Sequence, residues 1–571
     1  MKKILFVSSA LILLHNLLIA QITERDFLTE LGTASATSKD FTLSFNQPYN
    51  YNFDSSLILT GETNLTFNFN SREPSTVDIR NKVFEGFKNI TFTLETNTVL
   101  TLADCKFINC GTVYFEFGRK EELYNDPQTK IKIANCEFTD TDLRNDSSNY
   151  SYQLCFRKAQ SVGKEKCIIK NVEITGCSFN LNDTSASFLT KNKLLPSRYS
   201  VYIYRKENNV AVSNITVSQN SFKFNSPYYR TFGIIFLNDG NSNFRTPLIP
   251  IEEQFVENNT LAIRGNYMET NSNDPGHGIF VQGPYEKVRV TDNEVIGFGA
   301  NFPGANNDLQ RDGAIQLYGD RATSRYSNDL QNCDVSYNKV LAVGTAIRLS
   351  GTNNATVNFN DISISPDPAF YQDGSETGKQ LTIKLDQAGI NCRTGNFEDP
   401  LSQSRNLSIE NNVINCNSVD RCIGIDIDAV KSFSIKNNKI YNPNNYGIIY
   451  HSNKGFINQE FGNSIIENNL IDFGLQNDCQ LKSSWYHPRY EMEFSGINIS
   501  REFSQNHKEI SFESIVIREN IIKTNEDSEI EPIRVEKIET EDGIVKKKFY
   551  NIESNFLQTQ EGLKEIPEIK Y

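Results

Sequence analysis

Two stretches of the sequence, LSIENNVINC at residues 407–416 and FSIKNNKIYN at residues 433–442, share one pattern. In each, apolar and polar residues alternate, an Asn-centred turn follows, and a second short run begins. Alternation with a period of two predicts β-strands that bury one face. The pattern recurs from ITVSQNSFKF at residues 215–224 to IVIRENIIKT at residues 515–524. A recurring unit of this kind indicates a solenoid whose coils bury a continuous core.

One position of the repeat is nearly constant, and it lies at the turn. It holds Asn220, Asn266, Asn293, Asn338, Asn360, Asn412, Asn438, Asn469, Asn520 and Asn555, and earlier in the chain Cys105, Cys136 and Cys177. Asn tolerates the left-handed backbone of tight turns. Identical residues one coil apart stack at roughly 4.8 Å, so their amides can form a ladder. A buried Cys is a small apolar substitute in such a position.

A third short run follows in most coils and usually begins with Gly or Ala, as in AIRLSG, GINCR, GIDID and GIIYHS. Three strands per coil with one Asn bend resembles the pectin-lyase-like superfamily, which contains polysaccharide lyases and glycoside hydrolases, over residues 90–540. The predicted fold is all-β: a single right-handed parallel β-helix with an Asn/Cys turn ladder and long inserted loops. Tandem β-sandwiches, the alternative, predict hairpin turns and no recurring Asn position.

The ends of the chain differ from the repeat. Residues 1–20 have the basic start, apolar run and small final residue of a signal peptide, so we expect a secreted or periplasmic protein with no membrane contact after cleavage. We expect residues 21–90 to form an N-terminal cap with the first coils. The β-helix itself is predicted over residues 91–540, and a C-terminal hairpin end and tail over residues 541–571.

Composition excludes several classes of protein. The chain has 571 residues, a net charge of −13 and 11% aromatic residues. The acidic balance argues against a nucleic-acid partner, and the aromatic content argues against wholesale disorder. The length corresponds to several average domains, but the repeat indicates one elongated solenoid, which we expect to be a monomer. The cysteines between residues 105 and 177 predict either a disulfide-braced section or a stack of buried thiols.

The resemblance implies a site on the sheet made by the third strand. In a run such as G-I-x-I-x the apolar pair points into the core and the other residues point outward. Among the outward residues that carry charge or an amide, we select Arg348, Asn391, Arg393, Asp426, Asp428 and His451, which lie on neighbouring coils. We predict that Asp426, Asp428 and His451 are catalytic and that Arg348, Asn391 and Arg393 bind substrate.

The Asp426–Asp428 pair leaves three interpretations open. The two backbones lie about 6.5–7 Å apart on one strand face, and an inverting glycosidase needs two carboxyls about 6.5–9.5 Å apart. As acid and base they predict hydrolysis, with His451 tuning them. As ligands of Ca²⁺, the only cofactor that the sequence suggests, they predict a polysaccharide lyase or epimerase in which an arginine neutralises a uronate. As solvated residues on an exposed strand they predict no catalysis.

Further candidates lie in loops. The insertion at residues 476–494 contains the only tryptophan, and an aromatic ring there can stack on a sugar. Its predicted substrate-binding residues are Trp485, Tyr486, His487 and Arg489. His277 joins them because Gly276-His277-Gly278 is similar to one element of polygalacturonase-type hydrolases. The most consistent function is an exported enzyme that cleaves an extended, anionic polysaccharide, with hydrolysis by the Asp426–Asp428 pair as the favoured mechanism; the alternatives are a Ca²⁺-dependent lyase or epimerase and a non-catalytic glycan-binding adhesin.

Overall fold

The computed structural model describes a discontinuous set of residues that covers most of the repeat. These are residues 29, 40–45, 50–69, 74–94, 98–117, 129–141, 150–159, 167–182, 197–205, 210–226, 229–238, 260–272, 274–283, 285–299, 302–303, 309–310, 313–319, 330–364, 387–393, 403–417, 422–452, 462–474, 494–501, 515–524, 530–535, 550–567 and 569–570. The signal peptide predicted at residues 1–20 lies outside them. Among the described residues, no helix has the length and hydropathy needed to cross a membrane.

Three long sheets account for nearly all of the described chain. Sheet A contains Phe41–Phe45, Asn64–Phe69, Asn89–Leu94, Thr112–Phe117, Tyr150–Lys158, Ser197–Arg205, Arg230–Asn238, Asp274–Pro275, Ile279–Gln282, Gly313–Tyr318, Thr345–Ser350, Gln387–Arg393, Cys422–Asp428, Tyr446–Ser452, Ser495–Arg501 and Glu531–Val535. Sheet B contains Asn50–Phe53, Ser75–Arg80, Thr98–Ala103, Lys130–Ala134, Cys167–Thr175, Val210–Ser218, Thr260–Arg264, Lys287–Thr291, Leu330–Gln331, Cys333–Ser336, Thr352–Asn358, Arg405–Glu410, Phe433–Lys436, Ser464–Glu467, Ile515–Arg518, Tyr550–Glu553 and Ile569–Lys570. Sheet C contains Leu57–Thr60, Lys82–Glu85, Lys106–Ile108, Glu137–Asp140, Ser178–Leu181, Ser221–Phe224, Tyr267–Thr270, Glu294–Ile296, Lys339–Ala342, Asp361–Ile364, Val413–Cys416, Lys439–Tyr441, Leu470–Asp472, Ile521–Lys523, Phe556–Thr559 and Gly562–Glu565. A separate antiparallel pair joins Phe302–Pro303 to Leu309–Gln310.

From Asn50–Phe53 to Glu531–Val535 the chain visits sheet B, then sheet C, then sheet A in each coil, and the strands of successive coils pair in parallel. Strand Cys422–Asp428, for example, pairs with Gln387–Arg393 on one side and with Tyr446–Ser452 on the other. This is the three-sided right-handed parallel β-helix that the repeat predicts. Inward side chains stack along the axis: the Phe107–Phe138, Phe138–Phe179 and Phe179–Phe222 ring centroids lie 4.8, 4.8 and 4.7 Å apart.

The predicted asparagine ladder is present at the corner between sheets B and C. Each amide oxygen accepts hydrogen bonds from the preceding coil, as where Asn412 Oδ1 accepts from Asn360 N at 3.0 Å and from Asn360 Nδ2 at 2.9 Å. The positive φ, however, belongs to the residue before the ladder position, such as Asn411 at 58° or Tyr337 at 57°. Asn occupies the ladder position for its amide, and left-handed backbone geometry is required one residue earlier.

The ladder position continues toward the N-terminus with other residues. Cys105, Cys136 and Cys177 are buried free thiols, so this part of the cysteine-rich stretch is a stack of thiols. Lys82 occupies the same position one coil earlier, because Val83 pairs with Lys106. Its fully buried ammonium group donates to the carbonyls of Phe53 at 2.9 Å and Arg80 at 2.8 Å. These carbonyl oxygens offset the cost of burying the charge of Lys82, which lies in a coil that precedes the asparagine ladder.

Parallel coils begin within the region predicted as an N-terminal cap, at Phe41–Phe45. At the other end, Phe556–Thr559 is the last parallel strand of sheet C, and its free edge pairs antiparallel with Gly562–Glu565 in a hairpin. Residues 541–549, where the predicted C-terminal hairpin end begins, lie outside the described residues. An antiparallel partner on the final strand covers an edge that is otherwise open for pairing with another chain.

Candidate functional site

The outer face of sheet A carries two adjacent columns of side chains, set by the parallel register. Residues in the first column are Arg348, Asn391, Asp426, Ile449 and Asn498, and we call it the face column. Residues in the second are Ser350, Arg393, Asp428, His451 and Ser500. Neighbours in a column lie on adjacent strands roughly 4.8 Å apart. The charged residues predicted from the sequence therefore fall on one continuous face.

Glycines at the start of these strands allow the coils to approach. A Cβ on Gly424 would lie 2.5 Å from the carbonyl oxygen of Gly447 and 2.5 Å from Ile440, and a Cβ on Gly447 would lie 2.6 Å from the carbonyl oxygen of Gly496. Only glycine fits so close to the backbone of the next coil. The G-I-x-I pattern therefore places the catalytic candidates of successive coils in register on the outer face of sheet A.

Asp426, Asp428 and His451 come together at the centre of this face. His451 Nε2 lies 2.8 Å from Asp426 Oδ1, and His451 Nδ1 lies 3.9 Å from Asp428 Oδ1. The histidine therefore reaches back one coil and lies between the two carboxylates. Its side chain is 32% exposed, whereas the side chains of Asp428 and Asp426 are 12% and 2% exposed. The imidazole is the most accessible group of the three.

Both oxygens of Asp426 are engaged. Asn391 Nδ2 donates to Asp426 Oδ2 at 2.8 Å, and His451 Nε2 lies at the same distance from Oδ1. A carboxylate that accepts at both oxygens requires the proton of the neutral imidazole to be on Nε2. The lone pair of His451 is then on Nδ1, the nitrogen turned toward Asp428. A buried carboxylate that orients an imidazole in this way prepares it as a general base.

Apolar residues support the cluster from the side. Ala388, Ile423, Tyr446 and Ile449 form a separate buried cluster on the same face. On the inner side of the sheet, burial and then the charge of Asp426 raise the pKa of the Cys392 thiol well above its usual range. Cys392 therefore stays a protonated thiol and is not a nucleophile for this site.

The substrate-binding candidates fall into three groups. Asn391 contacts the cluster directly, and Arg393 and Arg348 lie one and two strands away in register. His277 lies elsewhere, because strand Ile279–Gln282 is four strands, roughly 19 Å, from the strand of Asp426. Its Nδ1 is 2.9 Å from the Gly313 carbonyl, and its ring stacks on Phe280 at 4.6 Å.

The remaining candidates, Trp485, Tyr486, His487 and Arg489, lie outside the described residues. Sequence reasoning did not single out Asn498, which lies two strands beyond Asp426 in the face column. The signal was available, because Asn498 is the outward residue of GINIS in the same pattern.

A calcium site does not fit this arrangement. Among the described residues, no group of three or more His, Cys, Asp or Glu side chains converges as metal ligands do. Ca²⁺ takes six to eight oxygen ligands, yet Asp426 is already bonded to an imidazole and an amide. We therefore derive the chemistry of the site from its own side chains.

Comparison with known proteins finds likenesses of fold. No family model and no curated protein matches the chain. Among solved structures, a periplasmic alginate epimerase aligns at 9% identity and a TM-score of 0.27, over 87% of this chain and 85% of the other. A GH136 lacto-N-biosidase from Eubacterium ramulus aligns at 10% identity and 0.25, over 92% and 64%. A tailspike protein of E. coli bacteriophage HK620, in complex with a pentasaccharide, aligns at 10% identity and 0.22, over 92% and 74%.

Structural similarity this low carries no information about function, so the function is argued from the site itself. The sheets of the chain itself establish the fold that the repeat predicts: an all-β, right-handed parallel β-helix with three strands per coil.

Proposed function

We propose that the protein is an exported carbohydrate-active enzyme that acts on an extended, uronate-containing polysaccharide by removing the proton beside the sugar carboxylate. The observation that carries the proposal is the 2.8 Å contact between His451 Nε2 and Asp426 Oδ1, with Asp426 buried behind a partly exposed imidazole. The proposal covers a lyase and an epimerase, because both reactions begin with this proton transfer.

Burial supports the roles that we propose for the three central residues. Asp426 holds and orients the imidazole, since its oxygens are both occupied and its side chain is only 2% exposed. His451 Nδ1 accepts the proton. In a lyase, the electron pair of the broken C–H bond forms a carbon–carbon double bond as the glycosidic bond breaks, and the leaving oxygen takes a proton. In an epimerase, a proton returns to the same carbon from the opposite face.

Arginine supplies the charge that this reaction requires. Removing a proton beside a carboxylate places negative charge on the carboxylate, so a cation next to it stabilises the transition state. Arg393 lies on the strand beside Asp428 and Arg348 on the strand beside Asn391. Guanidinium groups bind carboxylates through paired hydrogen bonds. Local positive charge on this face therefore serves an anionic substrate even though the chain as a whole is acidic.

Hydrolysis, the mechanism favoured from the sequence, becomes the second candidate, and Asp428 is the reason to keep it. Its side chain is the more exposed of the two carboxylates, and it lies 3.9 Å from His451 Nδ1. Asp428 as base for a water and a protonated His451 as acid would cleave a glycosidic bond without elimination. The paired-carboxylate version of hydrolysis is less favoured, because Asp426 has no exposed oxygen with which to protonate a leaving group.

One assay separates these activities. We incubate the protein with a panel of anionic and neutral polysaccharides in D₂O, and we measure the ultraviolet absorbance of unsaturated uronates, the number of reducing ends, and deuterium incorporation by NMR. Absorbance with new reducing ends indicates a lyase, and deuterium without cleavage indicates an epimerase. Reducing ends alone would replace the proposal with hydrolysis. Glycan binding without any product would replace it with a non-catalytic adhesin.

A further inference from the structure

Two buried asparagines flank the His451–Asp426 pair in the face column. Asn391 pairs in register with Asp426, and Asn498 lies two strands farther on, beyond Ile449. They are only 3% and 2% exposed, although both point away from the core between inward-facing isoleucine or cysteine neighbours. Their amides are therefore polar groups that have been removed from water and need hydrogen-bond partners from another source.

The side-chain oxygen of each of these amides lacks a hydrogen-bond donor in the described part of the chain. Asn391 donates from Nδ2 to Asp426, but its Oδ1 is buried and has no hydrogen-bond partner in the described part of the chain. Asn498 Oδ1 is buried in the same way and also accepts no hydrogen bond there. A buried carbonyl oxygen without a donor is unfavourable. Such oxygens beside a catalytic cluster indicate a ligand that supplies the donor.

We propose that Asn391 Oδ1 and Asn498 Oδ1 accept hydrogen bonds from sugar hydroxyl groups on opposite sides of the reacting centre. The inference rests on the proposed function and specifies the ligand at the same site. Three strand steps separate the two residues, which is roughly 14 Å along the helix axis. The bound glycan therefore lies along the axis and spans at least three sugar residues.

The chemistry of an amide oxygen also decides which part of the sugar it recognises. A carbonyl oxygen accepts a hydrogen bond from a hydroxyl group and repels an ionised carboxylate. The arginines at positions 348 and 393 have the opposite preference. Asn391 and Asn498 thus select for free hydroxyl groups on the sugars that flank the reacting one, and a chain that is acetylated or sulfated at those hydroxyls binds poorly.

The ladder asparagine Asn469 is a matched control. It is as deeply buried as Asn498. Its Oδ1 accepts from Asn438 N and Nδ2 at 3.0 Å, and its Nδ2 donates to Ile435 O at 3.0 Å and to Asn520 Oδ1 at 2.9 Å. Replacing Asn469 by Leu removes satisfied bonds, whereas replacing Asn498 by the similarly sized Leu removes an unsatisfied oxygen.

The test compares Asn498→Leu and Asn469→Leu in the full chain. We expect Asn498→Leu to raise the thermal unfolding midpoint and Asn469→Leu to lower it. For the glycan that wild type uses best, we expect Asn498→Leu to raise KM about tenfold for oligosaccharides of four or more sugars, the loss of one hydrogen bond to a ligand, with kcat unchanged.

Calorimetric binding of the same oligosaccharides separates the two proposals. If wild type binds glycan without turnover, the proposed reaction fails, and the dissociation constant of Asn498→Leu still tests this inference. An unchanged KM and dissociation constant for every chain length would overturn the inference and would assign the acceptors to ordered water. A lower unfolding midpoint for Asn498→Leu would overturn it as well. If wild type neither binds nor converts any glycan, both proposals fail.

Discussion

The molecule contains two columns of buried polar side chains that run parallel to its axis, and they differ in how completely they are hydrogen-bonded. In the asparagine ladder, every amide from Asn220 to Asn520 donates hydrogen bonds to the ladder asparagine of the next coil, as Asn412 does to Asn438 at 2.9 Å. In the face column, Asn391 and Asn498 each keep a buried oxygen without a partner in the described chain. Asparagines that are equally buried in the two columns therefore differ in how completely their amide groups are hydrogen-bonded.

The difference matches the roles that we propose, a structural column and a functional one. The ladder repeats one residue in one geometry, so each new coil satisfies the amide of the coil before it. The face column changes residue at every coil, and under the proposed function some of its groups stay unsatisfied until a ligand binds. We expect substitutions in the ladder to change stability and substitutions in the face column to change activity.

The largest expected effect is on turnover. His451→Ala removes the proposed base, so kcat should fall by about 10²–10⁴-fold, as for the loss of a general base. Because the imidazole is partly exposed, the thermal unfolding midpoint should change little. Asp426→Asn should lower kcat through the loss of the orienting carboxylate, with a smaller change in KM. The measurements are initial rates on the best polysaccharide and a thermal melt of each variant.

A matched surface variant controls for general damage. Lys339→Ala alters an exposed ion pair with Glu294 on sheet C, away from the face. It should retain wild-type rates. Full activity in His451→Ala would remove the imidazole from the mechanism, and equal losses of activity and of stability in both His451→Ala and Asp426→Asn would make the pair structural.

The next effect is on stability. Asn412→Ala deletes donors to Val357 O at 2.7 Å and to Asn438 Oδ1 at 2.9 Å, and it leaves the amide of Asn360 without its acceptor. Orphaned buried groups cost about 1–3 kcal/mol each, so we expect a loss of about 3 kcal/mol in the free energy of unfolding. Denaturant unfolding by circular dichroism measures it.

The control for that prediction lies at the surface. Asn406 also bonds along the axis, to Asn354 Oδ1 at 2.9 Å, but it is exposed. Asn406→Ala should cost less than about 0.5 kcal/mol, because water replaces the lost bonds. A loss as large as that of Asn412→Ala would show that burial is not what makes the ladder stabilising.

Much of this arrangement could be predicted from the repeat. Parallel strands in register place outward residues of GINCR, GIDID and GIIYHS side by side, so the proximity of Asn391, Asp426 and His451 follows from period two and coil order. The ladder position was equally clear. These features can be predicted from short segments of sequence, because the position of each outward residue in a parallel sheet depends only on its own coil and the neighbouring coil.

Other features depend on side-chain packing that a repeat does not encode. His451 reaches Asp426 on the preceding coil, and the pattern alone left Asp426 and Asp428 equivalent, although their side chains are 2% and 12% exposed. Lys82 in the ladder position was also missed, since nothing in its sequence neighbourhood indicates that three backbone carbonyls surround its ammonium group.

The smallest expected effect concerns a third kind of column, the charged outer row of sheet B. Glu467 lies between Lys436 and Arg518, at 3.0 Å and 2.6 Å. Hydrogen bonds from Lys436 and then Arg518 hold the pKa of Glu467 below its usual 4.5. The stabilising contribution of this carboxylate is therefore complete above pH 4.5 and disappears as the pH falls through the lower folded-state value.

Glu467→Gln should be less stable than wild type at neutral pH and equally stable in strong acid, as measured by denaturant unfolding across pH. Salt should shrink the neutral-pH difference, because both cations are partly exposed. A difference that persists in strong acid would mean that packing, rather than charge, holds Glu467 in its column.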